Sequence, residues 1–244
     1  MSDLLELHEE PEAEREPKKK RGLMWLLLLF GLILILSSAT IILTSMFVPP
    51  VENATKDLDG NWVVPEDDTG WNDPDAIAAI DAVDEIPTGG RFIVPSVGLD
   101  AALGEANSYK GVINPPGFKS VYRIRDMGVS LDKAAEGTVY VATHSLRHGG
   151  RGPGNYLFDV DTGQITVKIG DEMIADGVKY HVVDFRSIPK ADLGSQSDIW
   201  ENSPGRLVVI TCLQRPDNSA SRNNVVIIGQ LDGTDSTTSG GTEE

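Results

Sequence analysis

The sequence predicts an all-β barrel or sandwich, preceded by a single membrane-crossing helix. Three observations carry this. Residues 91–231 contain short runs rich in β-branched side chains, and Gly, Pro, Asn and Asp punctuate the gaps between them. Long helical periodicity is absent from the same stretch. Ahead of it, no charged residue occurs from Gly22 to Val51.

The apolar run Leu23–Val48 would span about 39 Å as a helix, enough to cross a bilayer with some tilt. Lys18, Lys19, Lys20 and Arg21 stand immediately before it, and Lys56 is the one basic residue between it and Arg91. This asymmetry predicts a cytoplasmic tail over 1–22, a transmembrane anchor over 23–48, and an extracytoplasmic remainder. Ser37-Ser38-Ala39 resembles a signal-peptide cleavage site. The apolar run continues past it through Ile41, Ile42, Leu43, Met46, Phe47 and Val48, which favours a retained, single-pass anchor.

Residues 49–90 read as an acidic linker, because 51–90 carry 11 acidic side chains against Lys56 alone. One short helix is expected inside it. Asp73 would cap it and Pro74 would take its first position, with Ala76, Ile77, Ala79, Ile80 and Val83 on one side. Residues 91–231 hold 15 basic and 15 acidic side chains, and 232–244 form an acidic tail expected to be disordered. The formal net charge of −16 therefore sits mainly outside the 91–231 domain. No concentrated basic face points to nucleic acid.

Within 91–231, strands are expected at Arg91–Pro95, Thr138–Thr143, Gln164–Ile169, Val178–Val183, Arg206–Thr211 and Val225–Gly229. Cys212 is the one cysteine, so no intramolecular disulfide supports the domain. At this length a hydrophobic core suffices without staples. A lone thiol reads either as a small buried hydrophobe or as a reactive group.

Cys212 follows the run Leu207–Thr211, and Arg222 stands just ahead of Val225–Ile228. If those strands pair antiparallel, the loop between them returns Arg222 to the strand end that carries Cys212. His144 also follows a strand. A thiolate nucleophile, an imidazolium that lowers the thiol pKa and later protonates a leaving amine, and a guanidinium for the oxyanion form a coherent set. His144 and His148 have the spacing of a helical metal pair, but the glycines around them oppose a helix and no third ligand is evident, so no metal is expected. Arg215 is the rival to Arg222, in a loop that fixes it less. Asp171 and Asp184 are both candidates for orienting His144. His181 reads as structural, and the Gly-rich stretch 148–154 as a mobile loop beside the site.

The Val209-Ile-Thr-Cys212…Arg222 segment resembles the signature of the sortases. Arg91-Phe-Ile-Val-Pro-Ser-Val-Gly-Leu-Asp-Ala101, Gly137-Thr-Val-Tyr-Val-Ala-Thr-His144 and Gly152-Pro-Gly-Asn-Tyr-Leu-Phe158 resemble that family's corresponding stretches, in order. The resemblance covers about the whole of 91–231. It implies a sortase-like eight-stranded β-barrel and a membrane-anchored cysteine transpeptidase, with Cys212, His144 and Arg222 catalytic and no cofactor. It also implies substrates: secreted proteins bearing a C-terminal sorting signal, and an amine nucleophile from a cell-wall precursor or a protein subunit. Thr143 stands where the family often has Gly, and the subclass stays open. Some pilin-assembling members carry an Asp-Pro-aromatic lid; here Asp73-Pro74-Asp75 lacks the aromatic and Trp71 precedes it. Competing readings are an L,D-transpeptidase-like cell-wall enzyme, whose usual Ser/Thr-His-Gly-x-Cys context is missing, and a non-catalytic membrane-tethered β adaptor. A papain-like protease would place its cysteine before its histidine.

Overall fold

The computed structural model describes residues 19–47, 54–63 and 74–233. The chain divides into two units, Met1–Pro50 and Val51–Glu244.

In the first unit, helix α1 spans Lys19–Phe47 and contains an apolar stretch, Gly22–Thr44, long enough to cross a membrane. It runs unbroken through Ser37-Ser38-Ala39. The hydroxyls of Ser37 and Ser38 donate to the Leu34 carbonyl at 3.0 and 2.8 Å, and Thr40 donates to Leu36 at 2.8 Å. Their polar groups are thus satisfied inside the helix, as an apolar surrounding requires.

The second unit comprises β1 (Thr55–Lys56), β2 (Trp62–Val63), α2 (Pro74–Ile80), β3 (Arg91–Val94), β4 (Leu99–Ala106), β5 (Ser120–Gly128), β6 (Thr138–Ala142), β7 (Glu172–Ala175), β8 (Val178–Pro189), α3 (Lys190–Leu193), α4 (Ser197–Trp200), β9 (Arg206–Leu213) and β10 (Asn223–Leu231). Eight strands close into a barrel in the order β10-β8-β7-β3-β4-β5-β6-β9. The β4/β5 and β6/β9 pairs are parallel.

Strand alternation sorts the apolar residues into two groups. Phe92, Leu103, Val121, Val139, Met173, Tyr180, Leu207 and Ile227 come from all eight strands and fill the interior. Ile124, Tyr140, Ala142, Ile188, Val208, Ile210 and Val226 lie on the opposite faces of five strands, under Ile199, Leu193 and Trp200 of α3 and α4. The outer surface of β5-β6-β9-β10-β8 is therefore a second apolar layer. Cys212 has the parity of Val208 and Ile210 and ends that layer.

Two of the expected strands differ from the structure. Gln164–Ile169 is no barrel strand. Thr166 donates through its backbone to Leu157 at 3.0 Å and through its hydroxyl to Tyr156 at 2.9 Å, while Val167 is buried. A β-branched run here satisfies itself against a loop, and the barrel position goes to β7. The 178–183 strand continues to Pro189, where it follows β10 along its whole length. The Ala- and Gly-rich β4 carries little strand propensity. It is extended because it lies between β3 and β5 with Leu99, Ala101 and Leu103 buried.

Upstream of β3 the chain is bound to the barrel. Ala76 and Ile80, one helical turn apart on α2, are buried, and Ile80 packs with Ala106 and Tyr122. Val83 and Glu105 exchange backbone hydrogen bonds at 2.8 Å, and Ile86 donates to Leu103 at 2.9 Å. The β1–β2 hairpin docks elsewhere, through the buried carboxylate of Asp57. Asp57 accepts from the Asn61 amide at 2.8 Å and the Arg151 amide at 3.1 Å. The Leu58 amide donates to the Arg151 carbonyl at 3.0 Å. Asp73 and Trp71, the expected helix cap and candidate lid aromatic, lie outside the described residues; Asp75 is exposed.

Candidate active site

Strand register brings the three candidate residues to one end of the barrel. β6 and β9 run parallel, with Ala142 opposite Ile210, and the Thr143 amide continues the ladder to the Ile210 carbonyl at 3.1 Å. The same offset carries His144 level with Cys212. β10 pairs antiparallel with β9, so Asn224 faces Cys212 and Arg222 enters two residues earlier. The ladder between β10 and β8 extends one step further, where the Lys190 amide donates to the Arg222 carbonyl at 2.9 Å.

Short-range bonds tie these strand ends together. The buried Ser145 hydroxyl donates to the Cys212 carbonyl. The Gln214 amide donates to the Ser145 carbonyl at 2.8 Å and to its hydroxyl at 2.9 Å. The Gly-rich stretch after His144 is fastened rather than free-standing. The Asn155 carboxamide oxygen accepts from the Leu146 amide at 2.7 Å and the Gly152 amide at 2.9 Å. The Gly154 amide donates to the His144 carbonyl at 3.0 Å, and a Cβ on Gly154 would overlap the Thr211 hydroxyl. Glycine is what lets this turn lie against the His144 backbone and the Thr211 side chain.

Cys212 is half-buried. The His144 ring is also half-buried. Its Nε2 lies 2.6 Å from the Pro115 carbonyl, and its centroid is 4.9 Å from the Phe118 ring at an interplanar angle of 34°. Because a carbonyl only accepts, Nε2 carries a hydrogen, and the basic nitrogen of the neutral ring is Nδ1.

Arg222 is exposed. With Arg215, Leu213 and Gln214 it lines a shallow cleft of about 340 Å³ against Asp161, Thr162 and Gly163. Arg215 is held within its own loop, 3.0 Å from Asp217. The Asp217 carboxyl is held below the usual carboxylate range by the Ser219 hydroxyl, then by the Ser219 amide, with the Arg215 charge contributing less. Both acidic candidates for orienting His144 have partners on other side chains. Asp171 accepts from Ser96 at 2.7 Å, and Asp184 pairs with Arg186 at 2.8 Å. His148 is exposed on the Gly-rich loop, where the Asn218 carboxamide accepts from its amide at 3.0 Å. Among the described residues no group of three or more His, Cys, Asp or Glu could hold a metal ion.

Sequence reasoning missed Ser145, Gln214, Pro115 and Phe118. Ser145 and Gln214 had a faint signal, since each lies within two residues of a candidate. Pro115 and Phe118 had none, because they sit more than twenty residues from His144 in an irregular segment.

No protein-family model matches the chain, and no curated protein sequence matches it. Among solved structures it is similar to a sortase D5 transpeptidase of Clostridium perfringens, at 13% identity and a TM-score of 0.40, covering 59% of this chain and 78% of that one. It is similar to sortase C-1 of Actinomyces oris at 15% identity and 0.41, covering 58% and 72%. A pilus-related sortase C of Group B Streptococcus is similar at 14% identity and 0.41, covering 61% and 69%.

Proposed function

We propose that the chain is a membrane-anchored cysteine transpeptidase of the sortase type. The observation that carries this is the convergence of His144, Cys212 and Arg222 on one end of three adjacent strands. It is supported by the motif order and flanks that the sequence shares with that family.

In this reading Cys212 attacks a backbone carbonyl within the sorting signal of a secreted protein. The carbon–nitrogen bond breaks, His144 protonates the departing amine, and a thioacyl-enzyme remains. An amine from a cell-wall precursor or a protein subunit then attacks the thioester, His144 takes its proton, and Cys212 is released. Arg222 offers fixed donors to the oxyanion in both steps. The α1 anchor, with its N-terminal end in the cytoplasm, holds the site on the outer membrane face where such substrates emerge.

The test is to incubate full-length protein in detergent with a fraction of secreted proteins and measure the intact mass. An acyl adduct on Cys212, released by hydroxylamine as a hydroxamate, is the expected result. Folded protein whose Cys212 never acquires an acyl group from any sorting-signal peptide would overturn the reading.

A further inference from the structure

Residues 107–119, between β4 and β5, supply two contacts to the His144 ring: the Pro115 carbonyl on Nε2 and the Phe118 ring against its face. This segment rests on a polar seat. The Tyr122 hydroxyl, on a side chain with no exposure, donates to the Asp84 carboxylate. Burial, then this hydrogen bond, push the Tyr122 phenol far above its ordinary range. Gly117 lies directly over that pair, and a Cβ there would overlap the Tyr122 hydroxyl and stand 3.1 Å from Asp84 Oδ1. Asp84 belongs to the segment upstream of β3, which is bound to β4 through the Val83–Glu105 exchange.

From this juxtaposition we infer that Phe118 and the Pro115 carbonyl are positioning groups for His144, seated by Tyr122 and Asp84, and that they keep the ring in its Nε2–H form. The Pro115 oxygen selects which nitrogen is protonated, so Nδ1 is the base that serves the thiol. The Phe118 face favours the imidazolium over the neutral ring. Tyr122 and Asp84 act one step further back, by fixing where Gly117 and hence Pro115 lie. The chain ahead of the barrel is thereby coupled to the candidate base. The inference rests on the reading of His144 and Cys212 as a reacting pair.

The experiment uses full-length chain in detergent micelles and needs no sorting signal. Nitrogen-15 NMR of labelled histidine reads the His144 tautomer, and iodoacetamide reads the thiolate fraction of Cys212 near neutral pH. At a pH where the ring is neutral, the native chain is expected to show Nε2–H. Phe118→Leu is expected to slow alkylation about threefold, and Phe118→Tyr to restore it. Gly117→Ala is expected to disturb the tautomer signal, and Gly117→Ala with Tyr122→Phe to recover much of it. An Nδ1–H tautomer in the native chain overturns the inference. So does alkylation that is equal in Phe118→Leu and the native chain, or a double variant no better than Gly117→Ala. A chain that shows the expected tautomer and rescue but accepts no sorting signal would sink the transpeptidase reading and leave this one standing.

Discussion

The hydroxyl of Ser145 donates to the carbonyl oxygen of Cys212, so the residue after the candidate base is bonded to the backbone of the candidate nucleophile. β6 and β9 are parallel there and their ladder has just ended, so this bond and those from Gln214 replace the missing ladder. Ser145→Ala would leave the Cys212 carbonyl and the Gln214 amide short of a partner. The expected cost is about 1–3 kcal/mol of stability, with turnover reduced about tenfold through loosened alignment. Urea unfolding and peptide turnover check both. Unchanged turnover would show that the bond only braces the fold.

Cys212→Ala should reduce peptide cleavage by about 10⁴-fold or more. It should shift stability by no more than about 1 kcal/mol, since the side chain is only half-buried. Cys212→Ser should also be very poor, because a hydroxyl is far harder to ionise beside the same imidazole. Cleavage at the native rate in either variant removes Cys212 from the mechanism. Leu207→Ala, in the barrel interior, is the stability control at about 2–5 kcal/mol.

Arg222→Lys should keep the charge and lose about 10²-fold or more in kcat, because an ammonium lacks the guanidinium's fixed fork of donors. Arg215→Ala should stay within about fivefold, since it breaks a loop ion pair of little worth. The reverse ranking would make Arg215 the oxyanion partner.

Turnover should rise and then fall with pH, because the imidazolium and the thiolate must coexist. His144→Ala should remove activity. His148→Ala should retain most of it, as that side chain is exposed on the Gly-rich loop. A monotonic profile in a reaction limited by chemistry would count against the pair.

Asp57→Ala should loosen the loop that follows His144. It deprives the Arg151 and Asn61 amides of a buried acceptor, at about 1–3 kcal/mol locally. Hydrogen exchange at Arg151 should quicken, and turnover should change with it. If exchange and turnover both match the native chain, the 54–63 hairpin is only part of a spacer.

Much of this protein was legible in the residues themselves. A charge-free apolar run needs no tertiary context to read as a membrane-length helix, because bilayer thickness sets the length that counts. Strands such as Thr138–Ala142 and Arg206–Leu213 are equally plain, since β-branched side chains restrict the backbone locally. So is the grouping of Cys212 with Arg222, because a short connection between two such strands leaves little choice but an antiparallel return. What tertiary structure alone decided is everything that depends on contact between distant segments. β4 is a strand because of its neighbours, and Gln164–Ile169 is not one because a loop satisfies its backbone first. Asp57 is a buried acceptor for Arg151 rather than one more acid in a linker. His144 meets a backbone carbonyl and a phenyl ring from an irregular segment, and nothing in the sequence singled out either. A carbonyl belongs to every residue, so nothing in its identity could mark it in advance; only the path of the chain brings Pro115 to the imidazole.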